Sequence, residues 1–192
     1  MAVKLLITDF DGTLVNTFTA NYKAYKKALG EYGINLTREK YRECFGFRFD
    51  RFMDTMGIEE EVRNQIKDKK AEYYPLFFKD LKLNAPLMNF IKAFHYNGGM
   101  TAIASTARKI NLMNVLSYFG VEDSFDLILA GEEVSNGKPD PEIYLRTMQR
   151  CGVTPAESLV FEDSPVGIEA AERAGINYIK ITDTYWDNIT LS

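Results

Sequence analysis

The stretch Leu5-Leu6-Ile7-Thr8-Asp9-Phe10-Asp11-Gly12-Thr13 decides how the rest of the chain is read. Its apolar start has the length and character of a buried strand. Asp9 and Asp11 follow with one residue between them. In extended backbone, residues i and i+2 face the same way, so both carboxylates can point into one small volume while Phe10 turns toward the core. Two close carboxylates repel unless a proton or a cation is shared between them. Gly12 permits a sharp turn and leaves nearby backbone N–H groups open to an anion. Taken alone, the nine residues read equally well as a plain strand ending in an Asp-Gly turn. They do not start a calcium loop, which needs Gly and Glu where Leu14 and Ala20 stand.

Working outward, the pattern from Tyr22 changes to helical spacing. Tyr22, Tyr25, Leu29 and Tyr32 recur on one face and Gly33 is a terminator. This aromatic stripe reads as core packing. Thr37 is placed to cap a second helix ending near Gly46. A third runs from about Phe49 to Met56 and stops at Gly57, and a longer charged helix after Glu59 is disturbed by Pro75. Nothing between Asn16 and about Leu83 reads as a strand. A helical block this long, directly after one strand, is an insertion rather than a simple crossover.

Pro86 suits the first position of a helix that ends at Asn97-Gly98-Gly99. His95, the only histidine, lies in it and reads as a surface or packing residue. From Met100 strands and helices alternate. Strands are expected over 100–104, 125–130, 158–161 and 178–181, and helices over 110–119, 141–151 and 165–174, each closed by a glycine. Repeated strand–helix units imply a parallel, doubly wound α/β sheet with helices on both faces. Ligands then bind at the carboxyl ends of the strands, near the point where strand order reverses. Trp186, in the tail, has no assigned role.

If the fold is right, those strand ends hold the chemistry. The first carries Asp9 and Asp11, and the second ends in Ser105-Thr106, whose hydroxyls can donate to a phosphate oxygen. The loop after the third holds Gly137-Lys138-Pro139-Asp140-Pro141, and its stiff backbone can aim the Lys138 ammonium. The fourth ends in Glu162-Asp163-Ser164, two acids that are costly unless solvated or paired with a cation. Each signal has an ordinary reading as a cap or solvated turn. Together, at one edge of one sheet, they form a set for phosphoryl transfer, where catalysis is mostly positioning and charge stabilisation. A Walker loop is excluded, because five residues separate Gly131 from Gly137 and Pro139 follows Lys138.

Composition bounds the partners. The 192 residues are 46% hydrophobic and 26% charged, with a net charge of −4 and no clustered Lys/Arg. That argues against nucleic acid as the main partner. Cys44 and Cys151 have no metal or redox spacing. No apolar stretch suits a signal peptide or a bilayer span. A cytoplasmic protein, monomeric or weakly homodimeric, is expected.

These motifs and their order resemble the haloacid dehalogenase superfamily of phosphohydrolases. The resemblance rests on Asp9-Phe10-Asp11-Gly12-Thr13, Ser105, Lys138-Pro139-Asp140-Pro141, and Glu162-Asp163-Ser164 followed by Gly167-Ile168 and Ala170-Ala171. It implies a Rossmann-like catalytic core over 1–15 and 85–192, with an α-helical cap inserted over 16–84, as in phosphoglycolate phosphatases and β-phosphoglucomutases. It further implies that Asp9 is the nucleophile and forms an aspartyl-phosphate. Asp11 would be general acid and then general base. Ser105 and Lys138 would bind phosphoryl oxygens, with Gly12, Thr13 and Thr106 also at the substrate. Mg²⁺ would be held by Asp9, the Asp11 carbonyl and Asp163, with Glu162 a ligand or just behind one. Asp11 favours phosphate esters, because members that break carbon–halogen bonds or cleave phosphonates lack the second Asp.

The expected activity is hydrolysis of a small phosphorylated metabolite. A sugar-phosphate mutase is the first alternative. β-Phosphoglucomutases carry a His in the first cap helix where Asn21 stands here, and this departure counts against that reading. A non-catalytic binding protein is the second alternative, and the four acids with Lys138 argue against it. In the cap, Cys44-Phe45-Gly46-Phe47-Arg48-Phe49-Asp50 breaks at a glycine, and Arg48 is expected to grip the leaving portion of the substrate.

Overall fold

The computed structural model of the protein describes residues 2–182; Trp186 lies outside the described residues. The chain opens with β1 (Leu5–Thr8), whose four residues are all buried. After a tight loop come β2 (Val15–Asn16) and four helices: α1 (Phe18–Gly30), α2 (Arg38–Cys44), α3 (Phe49–Thr55) and α4 (Glu60–Tyr73). A 3₁₀ segment, Tyr74–Asp80, leads to β3 (Lys82–Leu83) and α5 (Ala85–Tyr96). Alternation follows: β4 (Met100–Ala104), α6 (Lys109–Phe119), β5 (Leu127–Leu129), α7 (Glu142–Cys151), β6 (Ser158–Glu162), α8 (Pro165–Arg173) and β7 (Asn177–Lys180).

Five strands form one parallel sheet in the order β5-β4-β1-β6-β7. Strand alternation explains how both faces are covered. Leu5, Ile7, Ala102, Ala104, Leu129 and Val160 pack with Ile143, Tyr144 and Met148 of α7 and with Ala170 and Ala171 of α8. Phe161 points the other way, and its ring meets that of Phe90 on α5, centroids 5.9 Å apart. Running β1, β4, β5 the chain moves outward on one side, then crosses to build β6 and β7 on the other. The order therefore reverses beside β1, which opens a crevice at its carboxyl end.

The residues divide into two compact units. One comprises the chain up to Asn16 with that from Leu83 onward, and the other is Thr17–Lys82. The second unit is helical and has its own core, in which Ala28, Leu29, Leu36, Tyr41, Phe52, Met53, Ile58 and Ile66 are buried. Tyr25 meets Phe52 edge-on at 4.9 Å, an arrangement that suits the ring quadrupoles. Thr37 accepts the Lys40 N–H at 3.1 Å and caps α2 as its sequence position requires.

Several expectations need correction in detail. Two-residue strands, β2 and β3, stand at the ends of the block read as wholly helical. Tyr32 falls beyond the end of α1 and is 37% exposed, so it leaves the aromatic stripe. The strand expected over 125–130 keeps only Leu127–Leu129, where it pairs with β4. Pro86 is the second residue of α5, behind Ala85 and the capping Asn84, which accepts the Leu87 N–H at 3.1 Å. No helix among the described residues is long and apolar enough to cross a membrane.

Candidate active site

The Asp9 N–H donates to the Phe161 carbonyl at 2.9 Å, which carries the β1–β6 ladder one residue past the strand. Phe10 then turns inward and is 2% exposed, as alternation demands. The loop closes through Val15 N–H to the Phe10 carbonyl, 2.9 Å, and Gly12 N–H to the Val15 carbonyl, 2.8 Å. Gly12 has two reasons to be glycine. Its φ is +96°, and a Cβ there would lie 2.2 Å from Asp163 Oδ2. Next to it, the Thr13 hydroxyl donates to Asp163 Oδ1 at 2.8 Å. Thr13 thus holds a carboxylate of the site.

Lys138 arrives from the loop before α7. Its ammonium donates to Asp9 Oδ1 at 2.6 Å and to Glu162 Oε1 at 2.5 Å, and its side chain is 4% exposed. Glu162 ends β6 and is wholly buried. Its Oε1 also accepts the Tyr144 phenol at 3.0 Å, while Oε2 accepts the N–H and hydroxyl of Ser164 at 3.0 and 3.1 Å. Four donors occupy this carboxylate, about its full capacity. Ser164 also caps α8 by accepting the Gly167 N–H. A Cβ at Gly167 would sit 1.8 Å from Glu162 Oε1, so the absent side chain is what makes room for Glu162.

Among the described residues, Asp9, Glu162 and Asp163 each bring an oxygen to within 4.8 Å of the others. Burial pushes Asp9 well above the usual carboxylate range; Lys138 pulls it back, and Glu162 and Asp163 push it further up. Burial and then Glu162 raise Asp163 from 3.8 to about 6, against the hydrogen bond from Thr13. Burial opposes the charge on Lys138, yet Asp9 and Glu162 hold its ammonium well above the ordinary lysine value. Three carboxylates thus face one ammonium, and the excess negative charge fits a divalent cation. The donors are hard oxygens, which suits Mg²⁺. Because the oxygens of Glu162 are already taken, Asp9 and Asp163 are the side chains best placed to meet such an ion.

The other expected residues fall as follows. Ser105, at the end of β4, is buried; its Oγ accepts the Ala107 N–H at 3.1 Å, and its hydroxyl proton points the chemistry toward donation. The Thr106 carbonyl packs so closely on Gly131 that a Cβ there would come within 2.2 Å. Asp11 lies half-buried on the loop after β1, outside the three-carboxylate cluster. Arg48 belongs to the helical unit, where it precedes the first turn of α3. His95 is half-buried, with its Nδ1 3.3 Å from the Asp126 carboxylate, and fits the packing part of its expected role. Tyr144 escaped the sequence reading. A tyrosine on an apolar helix face looks like core, and the sole hint is its place six residues after Lys138.

Acids and a lysine gathered at the carboxyl ends of a doubly wound parallel sheet mark the class of α/β folds that bind ligands at the topological switch point. The particular family follows from comparison: the chain belongs to the haloacid dehalogenase-like hydrolases, whose model matches residues 6–181. It is 31% identical over 181 residues to the phosphorylated carbohydrates phosphatase of Thermotoga maritima, covering 92% of this chain and 84% of that protein. It is 27% identical over 179 residues to the fructose-1-phosphate phosphatase YqaB of Escherichia coli, covering 92% and 95%. The crystal structure of CbbY from Rhodobacter sphaeroides with phosphate has the same fold, with a TM-score of 0.87 at 24% identity over 95% of this chain and 88% of that one.

Proposed function

We propose that this protein is a Mg²⁺-dependent phosphatase that hydrolyses a small phosphorylated metabolite, most simply a sugar phosphate, through an aspartyl-phosphate on Asp9. The observation that carries the reading is the buried Lys138 ammonium bridging Asp9 and Glu162 beside Asp163. An ammonium so placed lies next to any phosphoryl group that Asp9 attacks. The sugar-phosphate class is supported by the relatives named for phosphorylated carbohydrates and fructose 1-phosphate.

In this mechanism an Asp9 oxygen attacks phosphorus and the ester P–O bond breaks. Asp11 gives its proton to the departing oxygen. Asp11 then takes a proton from water, whose oxygen attacks the same phosphorus and releases Asp9 and inorganic phosphate. Lys138 and the Ser105 hydroxyl bind the phosphoryl oxygens, and both are held in place before substrate arrives, so little reorganisation remains for the transition state. Gly12 and Thr13 keep Asp163 in place. Asp9, Asp163 and the Asp11 carbonyl would hold Mg²⁺, whose charge would offset that of the carboxylates and the phosphate. The test is a panel of sugar phosphates and other phosphorylated metabolites, with p-nitrophenyl phosphate as a generic ester, assayed with Mg²⁺. Phosphate release from p-nitrophenyl phosphate and from at least one metabolite is expected. No release from any compound would overturn the reading.

A further inference from the structure

We propose that Tyr144 is a positioning residue for Lys138: its phenol fastens Glu162 and its ring walls the ammonium, so that Lys138 is aimed at one point beside Asp9. This deepens the phosphatase reading and rests on it for the consequence in turnover. Tyr144 is fully buried on α7 and donates to Glu162 Oε1 at 3.0 Å. That same oxygen accepts the Lys138 ammonium. The ammonium also lies 5.1 Å from the centroid of the Tyr144 ring, within cation–π range. One side chain therefore acts on Lys138 twice, through a shared acceptor and directly through its π face.

A flexible lysine is a poor aiming device, because its four-carbon stem has many rotamers. Here the stem's end is defined by three contacts: Asp9, Glu162 and the Tyr144 ring. Glu162 could in turn swing, and its far oxygen is pinned by Ser164 while the near one is pinned by Tyr144. Burial keeps the phenol well above its ordinary value, so it remains a donor at neutral pH. Gly167 leaves the space that Glu162 occupies. The neighbouring elements β6, α7 and α8 thus each supply a part of the clamp, and Tyr144 is the part that touches both Glu162 and Lys138.

The experiment has a spectroscopic arm that is independent of turnover. In wild-type protein labelled with ¹⁵N-lysine, the Lys138 Nζ resonance, assigned by its absence in Lys138→Met, is expected to exchange slowly with water. The neighbouring methylene protons should carry an upfield ring-current shift. This measurement needs no Tyr144 variant, and a fast-exchanging, unshifted Lys138 overturns the proposal. In Tyr144→Phe the ring stays and the donor is lost, so the ring-current shift should persist while exchange of the ammonium quickens. The kinetic arm is a double-mutant cycle with Glu162→Gln. Tyr144→Phe alone should lower kcat on p-nitrophenyl phosphate by about tenfold with little change in KM, and weaken inhibition by orthovanadate. In the Glu162→Gln background the same change should cost at most about twofold. Fully additive losses, or equal vanadate inhibition in Tyr144→Phe and wild type, would overturn the proposal. If wild-type protein releases no phosphate from any ester, the phosphatase reading fails, and the spectroscopic arm still decides the Tyr144–Lys138 geometry.

Discussion

Cations in the two units of this chain meet different partners. In the sheet unit, the Lys138 side chain is buried against Asp9 and Glu162 at hydrogen-bond distance, and Glu162 also accepts from Tyr144 and Ser164. In the helical unit, cations lie on aromatic faces: Lys27 at 4.1 Å from the Tyr73 ring, Arg51 at 3.9 Å from Phe47 and Lys70 at 3.8 Å from Tyr74. A cation–π contact alone tolerates sliding across the ring, whereas a bridge between two carboxylates fixes a point, with or without a ring beside it. The carboxylate bridge suits the proposed reaction site, and the aromatic contacts suit a scaffold with adaptable polar groups.

The comparison breaks most directly at Asp9. Asp9→Asn is nearly isosteric and removes the proposed nucleophile, so turnover should vanish while circular dichroism stays that of the folded protein. Wild-type-like turnover by that variant would take the reaction away from the sheet unit. Removal of metal comes next. EDTA should abolish phosphate release and added Mg²⁺ restore it, and Asp163→Ala should raise the Mg²⁺ concentration needed. An unchanged requirement would remove Asp163 from the metal site.

In the helical unit the largest expected effect is on stability. Phe52→Ala empties a position packed against Tyr25 and Tyr41, at a cost of about 3–5 kcal/mol. Hydrogen exchange should quicken in α1 and α3 while β1, β4 and β6 stay protected. Uniform loss of protection would mean that the two units unfold as one body. Arg48→Ala sharpens the comparison from the functional side. It should lower kcat/KM for the best metabolite by about tenfold, the scale of one charge-assisted hydrogen bond, and change p-nitrophenyl phosphate much less. Equal losses on both substrates would remove Arg48 from specificity.

The smallest expected effects are pH slopes, and they have opposite signs at the two ends of β6. Without metal, Asp163 has a folded value of about 6 against an ordinary 3.8, so the folded state binds the extra proton. Its contribution to stability is fully present below 3.8 and is lost as pH rises through 6. Glu157 precedes β6, and Lys4, with the Thr154 N–H and hydroxyl, holds it at about 2 against 4.5. Its contribution is present above 4.5 and is lost as pH falls toward 2. Urea unfolding of metal-free Asp163→Asn should flatten the first slope, and Glu157→Gln the second. A variant with the wild-type slope would refute its assignment.

Much of the sheet unit is legible in the sequence. The apolar runs at Leu5–Thr8 and Met100–Ala104 and the glycines after α6, α7 and α8 carry local signals that do not depend on distant contacts. The limits of β5 were not legible, because a strand's ends are set by how far its neighbour pairs, and β4 offers partners only from Ala102 to Ala104. Tyr32 was misplaced because helical spacing predicts a face only while the helix lasts.

What the sequence determined by itself was which residues follow the strand ends. In a parallel sheet the carboxyl ends of the strands share one edge, so Asp9, Ser105, Glu162 and Asp163 stand there, and the loop after β5 brings Lys138 to Asp9 and Glu162. Which group touches which was decided only by tertiary structure. Thr13 holds Asp163, Tyr144 and Ser164 hold Glu162, and Gly12 and Gly167 leave room for Asp163 and Glu162. These are contacts between residues up to 150 positions apart, made by side chains whose local sequence signals are those of an ordinary cap, core residue or turn. The physical reason is that a hydrogen bond needs two partners at one distance and angle, and one partner's sequence neighbourhood carries no record of the other.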